Sequence, residues 1–316
     1  NGRRMQRTLD QNYRVTALHD ERPDGLQLDL GFDAAGQLTQ LRSASGPAGE
    51  QRYGYDALGR LISVNRADGS PLQQYALDTT GNRTMAADAA GSRAYHYSRS
   101  NHRLQSDGLI TRHYDSNGNT VELADLSFTY SDANRMVAVA RGGQVLERYH
   151  YNALGERVLR EPTDGAAVRT LYDEQGRWLG DYRADGSPVQ QAIWLDDLPV
   201  ALLTTTAAGL PSLAYIEPDH LGTPRVVIDS DRDVALWRWP LEKDAFGAHA
   251  PEDDVDGDGI AFELNLRHPG QQYTAASGLY YNYYRDLDAS IGRYVQSDPI
   301  GLAGGISTYG YVAGRP

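Results

Sequence analysis

The residues in this chain whose types and spacing could do chemistry are carboxylates. Asp254, Asp256 and Asp258 alternate through Asp254-Val255-Asp256-Gly257-Asp258-Gly259, and alternate carboxylates in a glycine-rich loop converge on one side, as at the start of a calcium loop. The twelfth position from Asp254 is Asn265, where a bidentate glutamate would close such a site, and Glu263 is out of register. Two readings stand: a bound calcium ion or a solvated acidic loop. Asp298 precedes Pro299, and on residue type alone it caps a turn, with Ile300, Gly301 and Leu302 packing as a plug. The pair Asp219-His220 invites a metal or acid–base reading. It has no second histidine three or four residues away and no nucleophile at a telling spacing, so a turn histidine is expected.

Composition narrows the function further. The 316 residues are 40% hydrophobic and 23% charged, enough for a sizeable core. There is no cysteine, which excludes disulfides and thiolate metal sites. A net charge of −12, with Lys243 the only lysine, argues against a nucleic-acid surface. No apolar run approaches the roughly 20 residues that span a bilayer. P-loop, G-x-S-x-G and H-E-x-x-H patterns are absent. Because the chain opens on Asn1 and closes on Pro316 in a Gly/Pro-rich run, it reads as a fragment of something longer.

The elements that would position these residues repeat. Tyr55-Asp56-Ala57-Leu58-Gly59-Arg60-Leu61 reads as a strand end, a tight turn and a new strand. Tyr55 suits a pleated, half-buried surface, Asp56 can fold its carboxylate onto the following backbone, and Gly59 supplies a positive φ and a bulge. Related copies start at Phe32, Leu77, Tyr97, Tyr114, Tyr130, Tyr151 and Tyr172, with Asn101 in place of the glycine in the degenerate Tyr97 copy. Their spacing of about 16 to 23 residues leaves room for two short strands and two turns per unit. Between copies, segments such as Gln144–Tyr151 alternate apolar and polar residues, and Ala67-Asp68-Gly69-Ser70 and Ala184-Asp185-Gly186-Ser187 supply further hairpin turns. The expected fold is all-β: hairpins in series making a curved or spiralling antiparallel sheet. With 21 tyrosines against 4 phenylalanines, its rings are expected to pack while their hydroxyls reach polar partners or water.

These repeats resemble the YD repeats of Rhs proteins, and the resemblance continues to the end of the chain. Pro218 to Arg225 resembles the family's DHLGTPR segment, and Asp244-Ala245-Phe246-Gly247 its D-x-F-G turn. Leu266 to Tyr273 resembles the R-F-P-G-Q-Y stretch, with His268 where phenylalanine is usual. Gly278 to Asp286, Gly292-Arg293-Tyr294 and Ser297 to Leu302 resemble the Rhs-associated core domain. The resemblance implies YD repeats over 1–215, a DHLGTPR-type shell segment over 216–250, and over 251–316 a core domain that stops before a second DPxGL motif.

What the family implies is a hollow β-cocoon closed by a core plug, similar to the C component of Tc toxins, holding a variable C-terminal toxin. The implied partners are the protein's own N-terminal shell, that toxin domain, a secretion spike and a chaperone, with an immunity protein binding the toxin rather than this part. The implied route is export from a bacterial cytoplasm by type VI secretion. The family cuts itself after the second DPxGL motif, which implies a catalytic role for Asp298 with a partner aspartate absent here. Two such carboxyls can share one proton, one serving as base on a water and the other polarising the scissile carbonyl. Arg293 would lower the pKa of one carboxylate if it lies nearby; otherwise it is a surface arginine in a strand. No cofactor is expected beyond the calcium alternative. A different class, a cell-surface adhesion or carbohydrate-binding protein, is implied by YD repeats of teneurins and would expose a groove lined by tyrosine and tryptophan, with Trp178, Trp194, Trp237 and Trp239 the tryptophans to inspect.

Overall fold

The computed structural model describes residues 4–43, 49–98, 101–205 and 209–315. Residues 99 and 100 of the degenerate repeat copy, and Pro316, lie outside the described residues. The chain divides into two compact units, the first formed by Asn1–Glu50, Ala166–Asp244 and His249–Gln272, the second by Gln51–Gly165, Ala245–Ala248 and Tyr273–Pro316.

Both units are built from antiparallel meanders, as the alternating segments led us to expect. In the first unit, strands Met5–Leu9, Val15–Asp20, Gln27–Phe32 and Leu38–Ser43 pair in sequence order. A second run there extends from Val168–Tyr172 to Ala235–Arg238, again with neighbours in sequence paired. The second unit repeats the pattern from Leu61–Arg66 to Gly91–Ala94 and from Arg112–Tyr114 to Arg157–Pro162.

The repeated turn has the geometry its residue types dictate. At Asp56 the backbone N–H bonds the Arg60 carbonyl at 3.0 Å and the Gly59 N–H bonds the Asp56 carbonyl at 2.9 Å. Asp56 Oδ1 accepts the N–H groups of Leu58 at 3.0 Å and Arg60 at 2.9 Å, while Oδ2 accepts from Arg60 Nε at 2.7 Å. Gly59 has φ +74°, where a side chain would be strained, and the strand register slips between Gly54 and Tyr55, which is the bulge. Those donors together hold the Asp56 carboxyl below its ordinary range against the opposing effect of burial.

Repeats are stitched to their neighbours by the arginine and the tyrosine. Arg60 Nη1 donates to the Asp78 carbonyl of the next copy at 2.8 Å, and Arg14 Nη1 does the same to Asp33 at 3.0 Å. The hydroxyls of Tyr97, Tyr114, Tyr130 and Tyr151 donate to the carbonyls of Arg83, Leu104, Thr120 and Met136 at 2.9, 2.9, 2.9 and 2.7 Å. This is why tyrosine replaces phenylalanine: the ring is half-buried and its polar tip satisfies a backbone acceptor.

Two copies of the turn escape sequence inspection. Asp10 N bonds Arg14 O at 2.9 Å, with Tyr13 at φ +61° in the glycine position. In the DHLGTPR segment, Asp219 N bonds Thr223 O at 2.9 Å and Gly222 sits at φ +87°. That segment is thus a further turn of the same kind.

Candidate functional site

In the second unit the C-terminal stretch folds as strands Leu279–Asn282, Arg285–Asp288 and Arg293–Tyr294, followed by a 3₁₀ turn at Gly301–Gly304. It lies on the unit's own hairpins, with Leu279 and Val295 buried among Leu126, Phe128, Met136 and Val139. Arginines projecting from the hairpins fix it there. Arg112, almost fully buried, bridges Asp107 and Asp288, each at 3.0 Å. Arg157 stacks over Tyr149 and Tyr281 at 4.9 and 4.2 Å, and its Nη1 donates to Thr274 Oγ1 at 3.0 Å. Arg135 Nη1 donates to the Tyr283 carbonyl at 2.5 Å and its guanidinium stacks on Tyr284 at 4.4 Å. The Thr120 hydroxyl donates to the Val295 carbonyl at 2.8 Å, and the Tyr309 hydroxyl to the Gly118 carbonyl at 2.7 Å.

This docking presents Asp298. Its Oδ2 lies 3.0 Å from Arg285 Nη2, and its Oδ1 accepts the Ile300 N–H at 3.1 Å, so the carboxylate both caps its turn and pairs with a cation. Its N–H bonds the Thr308 carbonyl at 2.8 Å. Arg285 Cζ lies over the Tyr294 ring at 3.7 Å, and the Tyr294 hydroxyl accepts from Asn282 Nδ2 at 2.6 Å. Gly304 closes the other side: a Cβ there would stand 2.7 Å from Asp298 Oδ2. The side chains of Asp298 and Arg285 stay 13% and 17% exposed, so water reaches the pair.

Arg293, read from the sequence as Asp298's possible partner or as a surface arginine, is neither. It is buried, donating from Nη1 to Asn82 Oδ1 at 3.0 Å and from Nη2 to the His102 carbonyl at 2.8 Å, beside the Tyr97 ring at 5.0 Å. Burial lowers its pKa from the ordinary arginine value. The arginine that pairs with Asp298 is Arg285. Arg285 is the residue the sequence reading missed. Nearby, Asp286 is buried and its carboxyl is pushed up by that burial, while its Oδ2 accepts from Gln296 Nε2 at 2.7 Å.

The acidic loop belongs to the first unit. Oxygens of Asp254, Asp256 and Asp258 converge to within 4.8 Å of one another. Arg232 Nη1 lies 2.7 Å from Asp256 Oδ2 and 3.5 Å from Asp258 Oδ2, so a guanidinium already supplies positive charge to the loop.

The same unit buries Trp178, Trp237 and Trp239, while half-buried Trp194 donates its Nε1 to the Trp178 carbonyl at 2.9 Å. Arg225 lies over Trp239 at 4.8 Å with its Nε on Asp219 Oδ2 at 2.8 Å. His268 packs against Trp239 at 5.4 Å, and burial pushes its pKa down to about 4. A depressed histidine pKa gives stability that is present above about 6.5 and is lost as pH falls toward 4. His268→Phe is therefore expected to gain about 2 kcal/mol at pH 5 relative to its effect at pH 8. Urea unfolding at the two pH values checks this, and an equal change at both would contradict it.

Comparison with known proteins places the whole arrangement. A family model described as teneurin YD-shell matches residues 4–302. Toxin protein Tse5 of Pseudomonas aeruginosa is 27% identical over 90% of this chain and 26% of its own length. Double-stranded DNA deaminase toxin A of Burkholderia cenocepacia is 27% identical over 90% of this chain and 21% of its own. The chain thus spans about a fifth to a quarter of the length of these relatives. Among solved structures, TcdB2-TccC3-Cdc42 superposes with a TM-score of 0.72 at 17% identity, over 99% of this chain and 18% of that one. The Photorhabdus luminescens Tc holotoxin pore with the mutation TccC3-D651A gives 0.70 at 17% identity, over 99% and 17%. At that identity the likeness is one of fold. The chain belongs to the teneurin YD-shell family, as an Rhs-type YD-shell protein, and shares its fold with the Tc toxin components.

Proposed function

We propose that this segment is part of the wall and plug of a shell that encloses an effector domain carried on the same polypeptide, and that Asp298 takes part in one self-cleavage. The observation that carries the reading is the docked C-terminal stretch, which presents one water-accessible carboxylate paired with Arg285 on an otherwise well-satisfied plug. Asp298 is suited to take a proton from a water as that water attacks a scissile carbonyl. A second, protonated carboxyl from a further copy of the motif would polarise the carbonyl. The C–N bond then breaks and the departing nitrogen takes up the proton. Arg285 acts through Asp298 as a positioning residue.

Enclosure gives the repeats a purpose beyond stability. A wall of hairpins that satisfies its backbone groups internally exposes few free strand edges to a guest chain. Relatives that are toxins support a toxin as that guest; a secretion spike and a chaperone as delivery partners, and export as the route, are part of the proposal. The carbohydrate-binding alternative called for an exposed groove lined by tyrosine and tryptophan; of the tryptophans, Trp178, Trp237 and Trp239 are buried. Calcium has no part in this proposal; Arg232 Nη1 lies 2.7 Å from Asp256 Oδ2 in the acidic loop.

Limited proteolysis of the full-length protein tests enclosure. The domain downstream of the plug is expected to survive at protease concentrations that degrade the same domain expressed alone, and to lose that protection once the shell is unfolded in urea. Digestion at equal rates would contradict the proposal.

A further inference from the structure

Away from the plug, the first unit buries more negative than positive charge at one point. Arg22 is surrounded by three carboxylates. Its Nη1 lies 3.0 Å from both Asp20 oxygens and 3.2 Å from Glu217 Oε1, and its Nε lies 2.7 Å from Asp233 Oδ1. The side chains of Arg22, Asp20 and Glu217 are only 6%, 3% and 6% exposed, and that of Asp233 is 23% exposed. Among the charged groups that border the same turn, Arg225 is buried and pairs with Asp219 at 2.8 Å. Asp24 accepts the Ala235 N–H at 2.8 Å, and Arg238 donates to the Asp24 backbone carbonyl at 2.7 Å. Asp20 and Glu217 approach one nitrogen of one guanidinium, and two carboxylates that close, out of water, do not both ionise without a large penalty.

The cluster joins parts of the chain far apart in sequence. Arg22 and Glu217 are separated by 195 residues. Glu217 Oε2 also accepts the Leu26 N–H at 2.6 Å, so this glutamate, on strand Pro211–Pro218, holds both ends of the turn that follows strand Val15–Asp20. Pro23, Gly25 and Leu26 of that turn wall a cavity of about 270 Å³, opposite Trp239 and Pro240.

We infer that Asp20, Arg22 and Glu217 form a proton-dependent clasp: one proton shared by the two carboxyls holds the turn over residues 20–26 against strand Pro211–Pro218, and its loss loosens the turn. Burial raises Glu217 to about 7, a rise that the hydrogen bond to Asp20 adds to and that Leu26 N–H and Arg22 oppose. A carboxyl raised in the closed form holds a proton that the opened form releases between its ordinary value and about 7. The clasp is therefore tight at acid pH and weakens as pH rises through that window.

Hydrogen exchange of the full-length protein, followed by mass spectrometry on peptides covering residues 20–28 and corrected for intrinsic base catalysis, reads the opening directly. The opening constant is expected to rise about tenfold per pH unit from pH 5 to 7 and to level off above it. Glu217→Gln keeps the shape but removes the titration and is expected to give a flat profile, whereas Asp20→Asn leaves the buried Glu217 in place and is expected to shift the sloping region to lower pH. A flat native profile, or a slope that survives in Glu217→Gln, overturns the inference.

Discussion

Arg112→Leu is expected to cost about 3–5 kcal/mol, because it leaves two buried carboxylates facing one another without their cation. The arginine side chain is 2% exposed, and Asp107 and Asp288 are 3% and 9% exposed. Neither acid can reach water without moving a hairpin or the C-terminal stretch. Asp107 sits at the turn before strand Arg112–Tyr114, whereas Asp288 ends strand Arg285–Asp288, so the loss should uncouple the plug from its hairpins as well as lower stability. The exposed pair Arg93–Asp88, at 3.8 Å and 29% and 40% exposed, is the control: Arg93→Leu should change stability by less than about 1 kcal/mol. Denaturant unfolding of the two variants side by side measures the contrast, and similar costs would contradict it.

The second large effect concerns the proposed cut. Asp298→Asn is expected to slow self-cleavage of the full-length chain by at least about 100-fold, since the amide keeps the turn but cannot take a proton from water. Arg285→Leu should slow it too and alter its pH profile, with Arg285→Lys restoring part of the rate, because the contact at 3.0 Å is charge-assisted. Gly304→Ala offers an independent check, since its Cβ would press to 2.7 Å of Asp298 Oδ2 and push the carboxylate off Arg285. If Gly304→Ala and Arg285→Leu both cut at the native rate, this pairing has no part in the chemistry.

Much of the fold was legible because its turn is written in residue types with few alternatives. An aspartate that accepts two backbone N–H groups and a glycine at positive φ are local requirements, visible in Asp56 and Gly59 without knowing the neighbours. Where another residue takes the strained position, as Tyr13 does at φ +61°, the signal disappears although the hydrogen bonds persist. The site was legible only in part. Asp298 stood out by its setting, but its partner was assigned to Arg293 by nearness along the chain. Strand pairing instead carries Arg293 to Asn82 and brings Arg285 to the carboxylate. Tryptophan burial and the Arg22 cluster depend on contacts between distant segments, and no local pattern marks those.

The central claim, that this stretch of shell contains half of a self-cleaving pair, is tested most directly by intact mass. Native full-length protein and its Asp298→Asn variant should be purified in parallel and weighed. We expect the native chain as two pieces cut downstream of Pro316, and the variant as one. Identical cutting in both would reduce Asp298 to a turn cap, and an uncut native chain would leave the segment as scaffold alone.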